Sequence, residues 1–173
     1  MRGLVYNLAP EQVAWSTVSG VSAGSINSFY AATYAKGDEK AMVEGSLKIM
    51  MNMSTDKIYK PWPKGLEDGL LNQHGLVDDS PLLEFITGIH KDRPLKRKLN
   101  VGATDANLGT FIPFDEKIDQ DDIPRAVVGS SSIPFVFPHI QLKEHTLIDG
   151  GAIYGINVQT AIDRCREEVS EDS

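Results

Sequence analysis

Gly20-Val21-Ser22-Ala23-Gly24 is the stretch on which the reading of this chain turns. It has the form G-x-S-x-G. Before it lies a short extended segment, Trp15-Ser16-Thr17-Val18-Ser19. After it, Ile26-Asn27-Ser28-Phe29-Tyr30-Ala31-Ala32-Thr33-Tyr34-Ala35 has helical spacing. Strand, Gly-bracketed turn and helix is the setting in which this pattern presents a serine nucleophile. Both glycines are expected to permit a sharp turn and close backbone packing where a Cβ would clash. The N-terminus of the following helix favours negative charge developing beside Ser22. The bare letters are weak, since a Gly- and Ser-rich turn ahead of an ordinary core helix looks the same. The order of the elements around them gives the pattern its weight.

The 173 residues suit one domain with a sizeable core. A formal net charge of −7 argues against nucleic acid as the partner, because phosphate binding needs a basic patch. It does not argue against a membrane-surface substrate, which a local apolar patch can serve. Cys165 is the only cysteine, so no disulfide forms within the chain and a reducing compartment is compatible. No apolar run reaches the roughly 18 residues a membrane span needs. The start, Met1 to Asn7, lacks the apolar length of a signal peptide. The expectation is a cytoplasmic location, with peripheral contact to membranes.

Along the chain, Leu4 to Trp15 reads as the tail of a helix and a turn into the elbow strand. That strand needs a parallel neighbour, and little chain precedes it to supply one. Asp38 is placed to cap a helix reaching about Met53, with Met42, Leu47, Met50 and Met51 on its apolar side. Such a Met-rich face is core or groove filler more often than a cofactor box. Residues 54–75 read as a long loop. Its aromatics either meet a lipid chain or pin the loop to the body. Ser80 is an N-cap with Pro81 at the first helical position, and Gly88 ends that helix.

Leu99 to Thr104 predicts a strand, Asp105 to Gly109 a turn, and Thr110 to Phe114 an edge strand that tolerates Pro113. Asp121 or Asp122 caps a helix over Ile123 to Ser130, and Ile133 to Pro138 is rigid and apolar. Thr146-Leu147-Ile148 is a strand. A last helix, Val158 to about Glu168, leads to a solvated acidic tail.

A serine hydroxyl needs a base to become a strong nucleophile. The histidines are His74, His90, His139 and His145. Ser22, Asp105 and His139 or His145 meet the Ser–acid–His order of an α/β-hydrolase. Neither histidine sits on a loop after a final core strand, and His145 reads as hairpin tip. Asp149 ends the strand Thr146-Leu147-Ile148 and is followed by Gly150 and Gly151. Those glycines permit a bend that aims a carboxylate across the sheet end. On position alone, a general base and an ordinary Asp-Gly turn are equal readings.

Taken together these segments resemble the patatin-like phospholipase family, lipid acyl hydrolases that use a Ser-Asp dyad. Ser19 to Asn27 is similar to the family's elbow, which makes Ser22 the nucleophile. Gly75-Leu76-Val77-Asp78-Asp79-Ser80-Pro81-Leu82 resembles its entry into a mid-domain helix, and Gly102-Ala103-Thr104-Asp105 its central strand and turn. Ala126 to Pro138 resembles its helix, S-x-A/S-I-P and F-P run. Asp149-Gly150-Gly151 matches its D-G-G/A motif, which makes Asp149 the base and leaves the histidines without a catalytic part. The resemblance implies a three-layer α/β/α domain with a mostly parallel sheet, a lipid or phospholipid substrate at a membrane surface, and no metal or organic cofactor.

The family's G-G-G-x-x-G loop, whose amides form the oxyanion hole, has no counterpart ahead of Ser22. The Ala23 amide is the one donor the elbow itself supplies. On this reading residues 1–173 form one patatin-like domain, incomplete ahead of the elbow and stopping soon after the last helix. A fragment, a misplaced start and a degenerate form are the readings of that gap. The expected consequences are an unpaired sheet edge and weak catalysis. The rivals to a lipid acyl hydrolase are an inactive lipid-binding protein and a Ser-His-Asp esterase.

Overall fold

The computed structural model describes residues 1–167, so the end of the expected last helix at Glu168 and the acidic tail to Ser173 lie outside the described residues. In chain order the elements are α1 (Arg2–Asn7), β1 (Thr17–Val21), α2 (Ala23–Ala32), α3 (Glu39–Met51), α4 (Gly65–Asn72), α5 (Ser80–Asp92), β2 (Lys98–Asp105), β3 (Thr110–Asp115), α6 (Ile123–Ser130), β4 (Ile140–Leu142), β5 (His145–Asp149) and α7 (Val158–Arg166). The class is α/β, as expected.

β2 organises the sheet. Its first half pairs in parallel with β1, Thr17 to Val21 lying opposite Lys98 to Gly102. Its second half pairs antiparallel with β5, Asp149 opposite Ala103 and Leu147 opposite Asp105. β3 runs antiparallel along Asn100 to Asp105, across both halves. Each strand has only two edges, so β1 and β5 share the edge that β3 leaves. They approach each other along it, and their C-terminal ends meet between Gly102 and Ala103. β4 completes an antiparallel hairpin with β5. The sheet is therefore mixed. The parallel neighbour of β1 comes from later in the chain, and β1 pairs with no other strand among the described residues.

Alternation of side chains across a strand assigns the two faces. Val18, Leu99 and Val101 join Phe29, Leu82, Ile86, Val127 and Val128 in the main core, which places α2, α5 and α6 on one face. Ser19 and Asn100 point the other way. There Ser19 Oγ donates to the Asn157 carbonyl at 3.3 Å, and the Asn157 amide donates to Asn100 Oδ1 just ahead of α7. Helices thus cover both faces of the sheet.

Three expectations change. On α3, Met42 is buried and Leu47 half-buried, but Met50 and Met51 are exposed, Met51 by 85%. The last turn of that helix projects beyond the core cluster that holds Met42. Residues 54–75 are not one loop, because α4 forms within them. Trp62 pins this segment by donating from its indole to the Gly75 carbonyl at 2.9 Å. Asp79 rather than Ser80 sits at the N-cap of α5, and the helix runs through Gly88 to Asp92. Ile86 and Ile89 keep packing on the core across Gly88, and that burial outweighs the weak helix propensity of one glycine.

Asp79 is buried at the entry of α5. Burial pushes its carboxyl up to about 6, and the charge of Asp78 adds to the rise. A carboxyl that holds its proton more tightly when folded stabilises below the unfolded pKa and loses that contribution as pH rises through the folded value. Asp79→Asn should therefore match the parent below about pH 4 and exceed it by up to ~3 kcal/mol above pH 6. Urea unfolding across that range checks this. A gain independent of pH would refute it.

Candidate active site

The elbow is built by strain at one residue and close contact at another. Ser22 has φ +57° and ψ −132°, a backbone conformation that non-glycine residues rarely hold. It sits between β1 and the first residue of α2. Gly20 is required here, since a Cβ would lie 2.1 Å from the Gly24 carbonyl oxygen. The expectation of a similar clash at Gly24 is corrected, because a Cβ there meets nothing within 4 Å. The position is on the open side of the first helical turn.

Asp149 ends β5 and comes to Ser22 through the head-to-head meeting of β1 and β5. Gly150 allows the approach: a Cβ on it would lie 2.2 Å from the Gly102 carbonyl oxygen and 2.8 Å from Val21. Ser22 Oγ donates to Asp149 Oδ2 at 2.6 Å. The other carboxylate oxygen accepts from the Gly151 amide at 2.7 Å, which fixes the carboxylate plane. Asp149 is 6% exposed, while Ser22 is half-buried and open to a substrate.

The last residue of α6 and the residues just beyond it hold both partners. The Ser22 amide donates to the Ser130 carbonyl at 3.1 Å and to Ser130 Oγ at 3.0 Å. Ser130 Oγ in turn donates to the Gly102 carbonyl at 2.6 Å. The Asp149 amide donates to the Ser132 carbonyl at 2.8 Å. Ser25 Oγ closes the elbow from below, its one proton shared between the Ser22 carbonyl at 2.6 Å and the Val127 carbonyl at 3.0 Å. Within the Ala126 to Pro138 run, nothing in the sequence marks Ser130 or Ser132 for these contacts. Three serines in a row carry no signal of which backbone groups they will meet.

A family model for patatin-like phospholipases matches residues 3–162. The chain belongs to that family. No curated protein matches it.

Within this patatin-like domain the histidines stand apart from Ser22. His145 Nδ1 lies 2.8 Å from Asp105 Oδ2, so the acid and base of the triad reading do pair. Burial opposes the charge on Asp105, but His145 and the amides of Asn107 and Leu108 outweigh it and hold the carboxyl below its usual range. The pair sits at the wrong end of β5. His145 begins the strand that Asp149 ends, and four residues of extended chain span about 13 Å. His139 stacks on His74 with ring centroids 5.0 Å apart. Burial, then the neighbouring His74, hold its pKa below the ordinary imidazole range. His90 packs against Phe29. Among the described residues no histidine hydrogen-bonds to Ser22, and no three His, Cys, Asp or Glu side chains group as a metal site.

At the start of α2 the backbone amides have no partner within the helix, as in any helix's first turn. The Ala23 and Gly24 amides lie in that first turn, next to Ser22 in the chain. No described helix is long and apolar enough to cross a membrane.

Proposed function

We propose that this patatin-like protein hydrolyses acyl esters of lipids with a Ser22–Asp149 dyad. The 2.6 Å hydrogen bond from Ser22 Oγ to Asp149 Oδ2 carries the reading. Asp149 takes the hydroxyl proton as Ser22 attacks the ester carbonyl. The tetrahedral oxyanion is met by the Ala23 amide at the head of α2, and the proton passes to the leaving alcohol as the acyl-enzyme forms. A water then attacks the acyl carbonyl while giving a proton to Asp149, which passes it to the departing Ser22 Oγ as the fatty acid is released. The Gly151 amide keeps the second carboxylate oxygen engaged, so Oδ2 stays aimed at Ser22 throughout.

The substrate is taken at a lipid surface. Ile133 and Phe135 follow Ser132, which holds the Asp149 amide, so this exposed apolar pair lies beside the dyad. Phe135 is 78% exposed and sits at φ +68°, a backbone conformation that costs a non-glycine residue. Its carbonyl accepts from the Leu76 amide at 3.0 Å, and Leu70 and Leu71 of α4 are exposed nearby in the chain. Exposed large apolar side chains, where they cluster, mark an interaction surface.

The test is acyl release by the full chain from a soluble p-nitrophenyl butanoate and from phosphatidylcholine vesicles. Release from either supports the hydrolase, and release from neither favours the inactive lipid-binding reading. Phe135→Ser should cut vesicle hydrolysis by about tenfold or more, from the ~1.5–3 kcal/mol a buried Phe supplies. An unchanged vesicle rate for Phe135→Ser would remove the patch from the membrane contact.

A further inference from the structure

We propose that the acyl chain of the cleaved ester lies in a groove along the outer side of α2, and that this groove sets acyl-chain preference. The proposal rests on the hydrolase reading above. α2 contributes Ala23, Ile26, Asn27 and Tyr30 to the groove. Their spacing is i, i+3, i+4, i+7, one stripe of a helix. The stripe runs about 10 Å at the helical rise. It begins at Ala23, the residue next to the nucleophile, so a chain attached through Ser22 enters at the groove's lip.

The walls are hydrocarbon. Ile49 and Met53 stand on the α3 side, Phe85 and Ile89 on the α5 side, and Ile58 adds to them. All are half-buried, with faces left for a ligand. No lining residue carries a charge. The polar lining side chains already bond within the protein: Asn27 Nδ2 donates to the Ala23 carbonyl at 3.0 Å, Tyr30 pairs with the Tyr34 hydroxyl at 2.7 Å, and Ser46 Oγ donates to the Met42 carbonyl at 2.8 Å. Such a groove accepts an alkyl chain and rejects a charged head group, which would lose its water without a partner. The cavity volume is about 400 Å³. With each methylene taken as water-sized, ~30 Å³, it holds roughly a dozen carbons.

A larger cavity, about 700 Å³, lies on the other face between β1 and α7, lined among others by Val21, Ile162 and Arg166. It supplies the control. The experiment measures kcat/KM of the full chain on p-nitrophenyl butanoate and dodecanoate, and takes their ratio. Ile49→Trp and Met53→Trp each narrow the α2 groove and should lower the dodecanoate-to-butanoate ratio by tenfold or more. Ile162→Trp in the other cavity should leave the ratio within twofold. The proposal is overturned if both groove variants, folded by circular dichroism, keep the parent ratio, or if Ile162→Trp alone lowers it. In either case the hydrolase reading survives. If the parent cleaves neither ester, the hydrolase reading fails by itself. Binding of fluorescent dodecanoate then decides the groove: at least a tenfold weakening by Ile49→Trp supports it, and unchanged binding overturns it.

Discussion

Ser22→Ala should reduce ester hydrolysis to background, and Asp149→Asn should lower kcat/KM by about 10⁴-fold or more. The two substitutions remove different things. Alanine removes the atom that forms the acyl-enzyme. Asparagine is nearly the same shape, so it can keep the Gly151 amide contact now made at 2.7 Å, yet it cannot accept the serine proton. His145→Ala and His139→Ala should each stay within about tenfold of the parent, because neither ring reaches Ser22. An alkyl fluorophosphonate should label Ser22 in the parent and nothing in Ser22→Ala, read by peptide mass spectrometry. Asp149→Asn retaining a tenth of the parent rate would end the dyad assignment. A thousandfold loss in either histidine variant, with the fold intact, would restore the triad.

Arg97→Ala should destabilise the protein by about 3–5 kcal/mol, the penalty of stripping a buried charge of its partner. Arg97 is 5% exposed, and its guanidinium serves four groups at once. Nε donates to the Tyr34 carbonyl at 2.8 Å, Nη1 to the Trp15 carbonyl at 2.9 Å, and Nη2 to the Ala35 carbonyl at 2.7 Å. Nη1 also meets buried Glu39 at 2.9 Å. One side chain thus joins the entry to β1, the exit from α2 and the start of α3. Arg97→Lys should recover little, since an ammonium lacks the planar fork that reaches three carbonyls. The double variant Arg97→Met/Glu39→Leu should be more stable than Arg97→Ala, because it leaves no buried carboxylate unpaired. Urea unfolding measures all three. A loss below about 1 kcal/mol for Arg97→Ala would show that water reaches Glu39 and replaces the arginine.

Local signals in the sequence hold where neighbours along the chain decide the outcome. The strand–elbow–helix at Gly20 to Gly24, the β4–β5 hairpin side of His145, and the helix over Ile123 to Ser130 all form as their residues predict. Signals that depend on packing misled. Gly88 reads as a stop and lies inside α5, because Ile86 and Ile89 on either side of it are held by the core. Met50 and Met51 read as an inward face and point to solvent. α4 follows directly on two prolines, Pro61 and Pro63, either side of Trp62, whose loop character masks it, since a short helix needs tertiary contact to persist.

The sequence by itself determined the α/β class, the family and the two motif residues, because G-x-S-x-G and D-G-G are short patterns with fixed local geometry. Position alone leaves Asp149 open between a base and an Asp-Gly turn, and the resemblance to the family makes it the base, with the histidines of a Ser-His-Asp triad kept only as a rival. Only the tertiary structure decided which of them Ser22 meets. Ser22 and Asp149 are 127 residues apart in the chain, and their contact depends on register: β1 and β5 end at adjacent positions, Gly102 and Ala103, on one edge of β2. A shift of one residue in either pairing turns the side chains to the opposite face. That register is held by the core beneath α2 and α6 and by Ser130 and Ser132 above it, contacts that no local spacing encodes.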